Sequence, residues 1–192
     1  MRCFLAIELP EAIIVALDAA GRAIRDLDAG WSEEKWVASE VMHVTLKFLG
    51  GVNTSLIDQF SCEFAVAASG QSTFPLQLTA LRAVPKPARA SMIWTVADDP
   101  TGGCAALART ADQIAGQQGL KPDSRPFTAH VTLVRARRVR AIEPCTLADA
   151  ATRSDLASLS TLSVLSATLF ASTLTPQGPI HERLAEFALR AE

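Results

Sequence analysis

Met42-His43-Val44-Thr45-Leu46-Lys47-Phe48-Leu49-Gly50 and Ala129-His130-Val131-Thr132-Leu133-Val134-Arg135 are the two stretches on which the reading of this chain turns. They share the word His-Val-Thr-Leu, and they lie a little under half of the 192 residues apart. The chain holds three histidines, and two of them open this word. A single copy would carry little weight, whereas its recurrence marks an internal duplication. Both copies read as strands, rich in β-branched and apolar residues and followed by a turn or a basic stretch. In a strand, residues i and i+2 share a face. His43 and Thr45 therefore point one way, while Val44 and Leu46 point into a core, and His130 and Thr132 repeat the arrangement.

If the halves are related by a pseudo-two-fold, the two His-Thr faces meet across one cleft holding two imidazoles and two hydroxyls. Imidazole titrates near pH 6.5 and so transfers protons in either direction near neutrality. Threonine hydroxyls donate hydrogen bonds to an oxygen on which charge builds. A symmetric acid/base pair flanking an oxyanion describes in-line displacement at phosphorus, with one histidine activating the attacking oxygen and the other protonating the departing one. Two other readings compete. The histidines could be satisfied structural residues, or they could ligate a metal. The pair supplies two ligands at most, however, and no His-x-His, His-x-x-x-His or cysteine-rich spacing accompanies it. Neither a metal nor another cofactor is expected.

Working outward, residues 2–8 read as a strand and 10–27 as a helix, with Pro10 in its first turn, Ile13, Ile14, Leu17, Ile24 and Leu27 at helical spacing, and Gly30 as a stop. Residues 31–41 read as irregular. Thr54 is the expected N-cap of a helix running to about residue 68. Strands are expected at 73–83 and 90–97, a helix at 101–118 closed by Gly119 at C′, a strand at 127–135, and two final strands at 160–172 and 181–189 around a turn at 175–178. Helices alternate with hairpin-like strand pairs, which predicts α+β and argues against a purely parallel sheet.

Composition bounds the function. Hydrophobic residues make up 49% and charged residues 20%, which is globular and excludes disorder as the main state. Tyrosine is absent and aromatics are 6%, so an extended stacking platform for single-stranded nucleic acid is not expected. The net charge of −2 excludes a protein that holds long nucleic acid by a general basic surface, but leaves room for a local anion site. The longest uncharged run, 156–180, carries many Ser and Thr and two prolines, so no membrane span is expected. Glu8 and Pro10 come too early for a secretory leader. Cys3, Cys62, Cys104 and Cys145 are scattered and form no Cys-x-x-Cys. Reduced thiols in a cytoplasmic protein are the expectation, and the Asn53-Thr54-Ser55 sequon would be idle there.

Taken together, these words resemble the two-histidine phosphoesterase superfamily, and within it the RNA 2′,3′-cyclic phosphodiesterases, historically called 2′-5′ RNA ligases. The likeness runs nearly end to end. Arg2-Cys3-Phe4-Leu5-Ala6-Ile7 is similar to the family's opening strand. His43-Val44-Thr45-Leu46-Lys47-Phe48-Leu49-Gly50 is similar to its first motif, and residues 125–135 (RPFTAHVTLVR) to its second. Residues 169–189 are similar to its closing hairpin. Ala129 stands where the family usually has Pro, and His181 where it usually has Tyr. The resemblance implies a bilobal fold with two antiparallel sheets around a central cleft, outer helices and a pseudo-two-fold, formed by residues 1–192 as one domain. It implies a cyclic phosphodiesterase that opens an RNA 2′,3′-cyclic phosphate to a 2′-phosphomonoester, with RNA ends as partner; a monomer is expected. It makes His43 the proton donor and His130 the proton acceptor, with Thr45 and Thr132 on the phosphate. From the residues alone, which histidine is which stays open.

Phe48 and Arg135 each follow their histidine by five residues. Strict alternation puts both on the face away from the histidines, unless a bulge returns them. The family pattern has Arg135 on the phosphate or terminal base and Phe48 near the base. Lys47 falls on the histidine face by parity. Arg137, Arg138 and Arg140 read as a solvated basic edge with at most a minor part in guiding RNA ends, and His181 as surface or turn structure. Alternatives to hydrolysis at an RNA end are 2′-5′ ligation, which is the reverse reaction with a 5′-hydroxyl in place of water, or a phosphodiesterase for a small cyclic nucleotide. An RNA-binding module without catalysis would tolerate His→Gln.

Overall fold

A computed structural model describes residues 1–156, 161–176 and 178–191. The strands are β1 (Arg2–Glu8), β2 (Lys35–Trp36), β3 (His43–Gly51), β4 (Phe74–Val84), β5 (Ala90–Asp98), β6 (His130–Arg140), β7 (Thr161–Val164), β8 (Ser166–Thr175) and β9 (Gly178–Ala188). The helices are α1 (Glu11–Leu27), α2 (Thr54–Gly70), α3 (Gly103–Gln117) and α4 (Pro144–Arg153). The fold is α+β, and the strand order is β7-β4-β5-β6-β3-β1-β8-β9, with β2 added to β6. All named pairings are antiparallel.

The order reads as two antiparallel halves, β6-β5-β4-β7 and β3-β1-β8-β9, each beginning at a His-Val-Thr-Leu strand. They meet at a single residue pair, Val44 with Val131. The sheet is strongly curled. Leu165 alone separates β7, at one edge, from β8, beside the strand at the opposite edge, so those two ends must approach each other. The core lies between sheet and helices. α1 packs on β6 and α4, and α3 on β3 and α2. Helix α1 buries Ile13, Ala16, Leu17, Ala20 and Ile24 at helical spacing. Gly103 opens α3 where any side chain would strike Phe74, since a Cβ there would sit 2.5 Å from the ring. Gly119, at φ +82°, is the C′ residue of α3, and Leu120 N–H closes the turn on Ala115 C=O at 2.9 Å.

Several expectations need correction. Asn53, not Thr54, caps α2, its Oδ1 accepting from Leu56 N–H at 2.9 Å. Helix α1 ends at Leu27 and Gly30 lies in a short 3₁₀ turn begun by Asp28. The irregular stretch 31–41 contains β2 and a second 3₁₀ turn at Ser39–Val41. The strand expected at 127–135 begins only at His130 and runs to Arg140. Helix α4 was not anticipated. The expected strand from Ser160 is two strands broken at Leu165, with Ser160 itself outside the described residues. Among the described residues, no helix is long and apolar enough to cross a membrane. Cys3 and Cys104 are buried free thiols, and Cys62 and Cys145 are exposed ones.

Candidate active site

Strict alternation fails on both central strands, and at the same place. Along β3, Ala6 of β1 faces Thr45 but Leu5 faces Lys47, so Leu46 is an extra residue. Along β6, Trp94 of β5 faces Thr132 but Ile93 faces Val134, so Leu133 is the extra residue. Each bulge turns two successive side chains, Leu46-Lys47 and Leu133-Val134, into the core. The residue after each pair then returns to the histidine face. His43, Thr45 and Phe48, with His130, Thr132 and Arg135, line one cleft of about 470 Å³. Phe48 is 64% exposed there.

The bulge overturns the parity reading of Lys47. Its side chain is 1% exposed on the face away from the cleft, where Nζ meets Asp112 Oδ1 of α3 at 2.6 Å and Asp123 Oδ2 at 3.1 Å. The basic edge, which the structure places within the last residues of β6 and not beyond it, is also partly structural. Arg140 Nη1 pairs with Glu34 Oε1 at 2.8 Å and its guanidinium lies 5.7 Å from the Trp31 ring.

The two imidazoles are held by one device. His43 Nδ1 lies 2.8 Å from Val41 O, and His130 Nδ1 lies 2.8 Å from Thr128 O, in each case a carbonyl two residues earlier. A carbonyl only accepts, so Nδ1 carries the proton in both rings and Nε2 is left for exchange. In neutral His43 that Nε2 accepts from the Thr45 hydroxyl at 3.0 Å. Each ring also lies on an aromatic from the next strand outward. Phe4 stacks on His43 with centroids 4.7 Å apart, and Trp94 on His130 at 3.8 Å.

Burial is the main force on both titrations. It drives His43 down from the ordinary histidine value to about 4, opposed by the Val41 carbonyl and reinforced by the positive charges of His181, His130 and Arg135. His130 is also lowered, by burial first and Arg135 after, against the Thr128 carbonyl. In the free protein both rings are therefore neutral at pH 7. A bound anion opposes the same desolvation and raises both.

His181 corrects a further expectation. It sits on β9 opposite Ser172, in the cleft wall, edge-on to His43 at 5.6 Å and to Phe4 at 4.8 Å. Arg2, Phe4 and Trp94 were also missed. Arg2 and Phe4 share the cleft face of β1, a parity that becomes readable once β1 is known to pair with β3. Among the described residues, no group of three or more His, Cys, Asp or Glu side chains could hold a metal ion.

Duplicated histidine strands meeting in one cleft of a two-lobed α+β fold place the chain among the two-histidine phosphoesterases. The profile of the LigT like phosphoesterases matches residues 7–94 and 96–181, one His-Val-Thr-Leu in each segment, and the chain belongs to that family. It is 28% identical over 152 residues, 79% of this chain and 84% of the relative, to an RNA 2′,3′-cyclic phosphodiesterase of Aeropyrum pernix. It is 25% identical over 189 residues, 98% and 99% of the two chains, to one of Methanothermobacter thermautotrophicus. Among solved structures it resembles TT0787 of Thermus thermophilus, with a TM-score of 0.79 at 22% identity over the whole of both chains. It also resembles E. coli LigT in its apo form, with a TM-score of 0.73 at 24% identity over 98% of this chain and 97% of that one. The protein is thus an enzyme of the phosphoesterase kind.

Proposed function

We propose that the cleft opens the 2′,3′-cyclic phosphate at an RNA end to a 2′-phosphomonoester. The observation that carries this reading is the pair of His-x-Thr strands in one cleft, with both Nδ1 atoms committed to backbone carbonyls and the Nε2 of His43 held by no more than the Thr45 hydroxyl. The names of the curated relatives support the substrate. In this scheme His130 Nε2 takes a proton from water as its oxygen bonds to phosphorus. The P–O3′ bond breaks in line, and His43 Nε2 gives its proton to O3′. The products are a 2′-phosphate and a free 3′-hydroxyl, and the two histidines exchange roles with solvent to reset.

Thr45, Thr132 and Arg135 hold the phosphoryl oxygens, and Phe48 packs the terminal base. His43 is neutral in the free protein, so it takes up its proton as the anionic substrate arrives. The cyclic phosphate carries one negative charge, and charge spreads over its oxygens in the transition state, where hydroxyl and guanidinium donors gain most. The steps proposed use proton transfer and hydrogen bonds alone, and neither a metal nor another cofactor takes part. The test is incubation with RNA ending in a 2′,3′-cyclic phosphate and identification of the product phosphate by its position. A 2′-phosphate is expected. Intact substrate, or a 3′-phosphate, would overturn the reading.

A further inference from the structure

The two halves differ in what fills the gap beside their shared seam. Each central strand begins one residue before the Val44–Val131 pair, so each runs on past the start of the other and leaves an edge beyond it. On the β6 side the gap is filled: Lys35 and Trp36 of β2 pair with Arg135 and Val134, and Val37 N–H donates to Leu133 O at 2.8 Å. On the β3 side, beside Leu46 to Phe48, no strand occupies the matching gap among the described residues. A groove of about 640 Å³ takes its place, walled by α3 and by residues 123–128. It shares Thr45, Phe48 and His130 with the cleft, so the two are continuous.

The lining suggests the occupant. Arg109 of α3 and Arg125 of the 123–128 segment are both exposed in the groove wall, and among the described residues neither takes part in an ion pair. The two carboxylates of the groove, Asp112 and Asp123, are engaged by Lys47 Nζ. One of their two negative charges is thus balanced from beneath, and the two guanidiniums face the groove uncommitted. Phe48 stands exposed on the ridge between cleft and groove, and Phe127 is half-buried in the groove. Cations that track a phosphate chain, together with aromatic surface that stacks bases, are the means by which single-stranded nucleic acid is held without sequence preference. A peptide pairing with β3 would use the free strand edge but would leave both arginines unexplained.

We propose that this groove binds the RNA chain 5′ of the terminal cyclic nucleotide, with Arg109 and Arg125 on its phosphodiester groups. The proposal rests on the cyclic phosphodiesterase reading, and it makes the favoured substrate an oligonucleotide end and not a free cyclic nucleotide. The test compares a mononucleoside 2′,3′-cyclic phosphate with a short oligoribonucleotide carrying the same terminus, for wild type and for Arg109→Gln/Arg125→Gln. Wild type should favour the oligonucleotide. The double variant should lose roughly tenfold in kcat/KM on it at low salt, and its log–log salt slope should fall by about 1.4, as two lost single-strand phosphate contacts require. Activity on the mononucleotide should stay within about twofold, which also reports an intact fold. Equal loss on both substrates, or no loss on either, would overturn the groove assignment. Wild type inert on both substrates would instead overturn the reading of the cleft on which it rests.

Discussion

The β3 half and the β6 half solve one problem identically and another differently. Each puts a histidine, a threonine two residues on, and a bulge at the next leucine on a central strand. Each locks Nδ1 with the carbonyl two residues back and backs the ring with an aromatic from the neighbouring strand. These shared parts are what proton transfer on both sides of one phosphorus needs. The halves part company at the residues to which the proposed reaction gives the orientation of the substrate. The residue five after the histidine is Phe48 on one side and Arg135 on the other. The buried residue before it is Lys47 on one side and Val134 on the other. The edge that β6 leaves beyond the seam is covered by β2, and the edge that β3 leaves faces a groove. In the proposed reaction, duplication would supply the chemistry and divergence the direction.

The largest expected effect comes from breaking the shared part. His43→Ala or His130→Ala should each slow turnover by roughly 10²–10⁴-fold with little change in substrate affinity, measured by steady-state kinetics on an RNA 2′,3′-cyclic phosphate. Near wild-type turnover in either would remove the acid/base pair. Thr45→Ala and Thr132→Ala each delete one hydrogen bond and no proton carrier, so roughly tenfold is expected, of similar size on both sides if the halves are equivalent.

The divergent buried pair can be probed through stability. Lys47→Met replaces a buried ion by an apolar chain of similar length, and Asp112 and Asp123 can turn to water. Its cost should stay below about 1 kcal/mol in denaturant unfolding. Asp112→Asn leaves the buried Lys47 ammonium with the Asp123 carboxylate alone and a weaker acceptor at its shorter contact, and should cost about 1–3 kcal/mol. The reverse order would mean that the ion cluster is not held as described.

Smaller effects concern pH. Both histidines are lowered in the free protein, His43 to about 4, so the bell of kcat/KM should lie on the acid side of 6.5. Bound anion raises both rings, so the kcat bell should lie at higher pH than the kcat/KM bell. The groups facing His43 are His181, His130 and Arg135, with Glu8, Glu40 and Arg183 lining the adjoining cavity and Arg183 paired with Glu8. Removing the His181 charge by His181→Phe should move the His43 limb upward. A downward move would contradict the cause assigned. Excess EDTA should change nothing, and a loss restored by added Zn²⁺ or Mn²⁺ would contradict a reaction run on protons alone.

How much of this was legible in the sequence differs between the same two categories. The duplicated word marked the strands, the shared face of histidine and threonine, and the α+β class, because these follow from local periodicity and repetition. The bulges were not legible, since period-two reasoning has no term for an extra residue. Phe48 and Arg135 return to the cleft and Lys47 leaves it for that reason alone. The adjacent apolar pair Leu133-Val134 was the available hint. Helix α4 escaped because PCTLADAATR offers only Leu147 and Ala150 as buried positions, although Pro144 at its start was a usable signal. His181 and Trp94 reach the site through strand pairing across long sequence separations, which no local pattern reports.

The central claim is that His43 and His130 act as one unit on one phosphorus, and a double-variant cycle tests it most directly. kcat would be measured on an oligoribonucleotide 2′,3′-cyclic phosphate for wild type, His43→Ala, His130→Ala and the double variant. The account predicts that the double variant is about as slow as the slower single one, because either loss already disables the concerted transfer. Losses that multiply, as for two independent contributions, or a single variant that turns over like wild type, would contradict it.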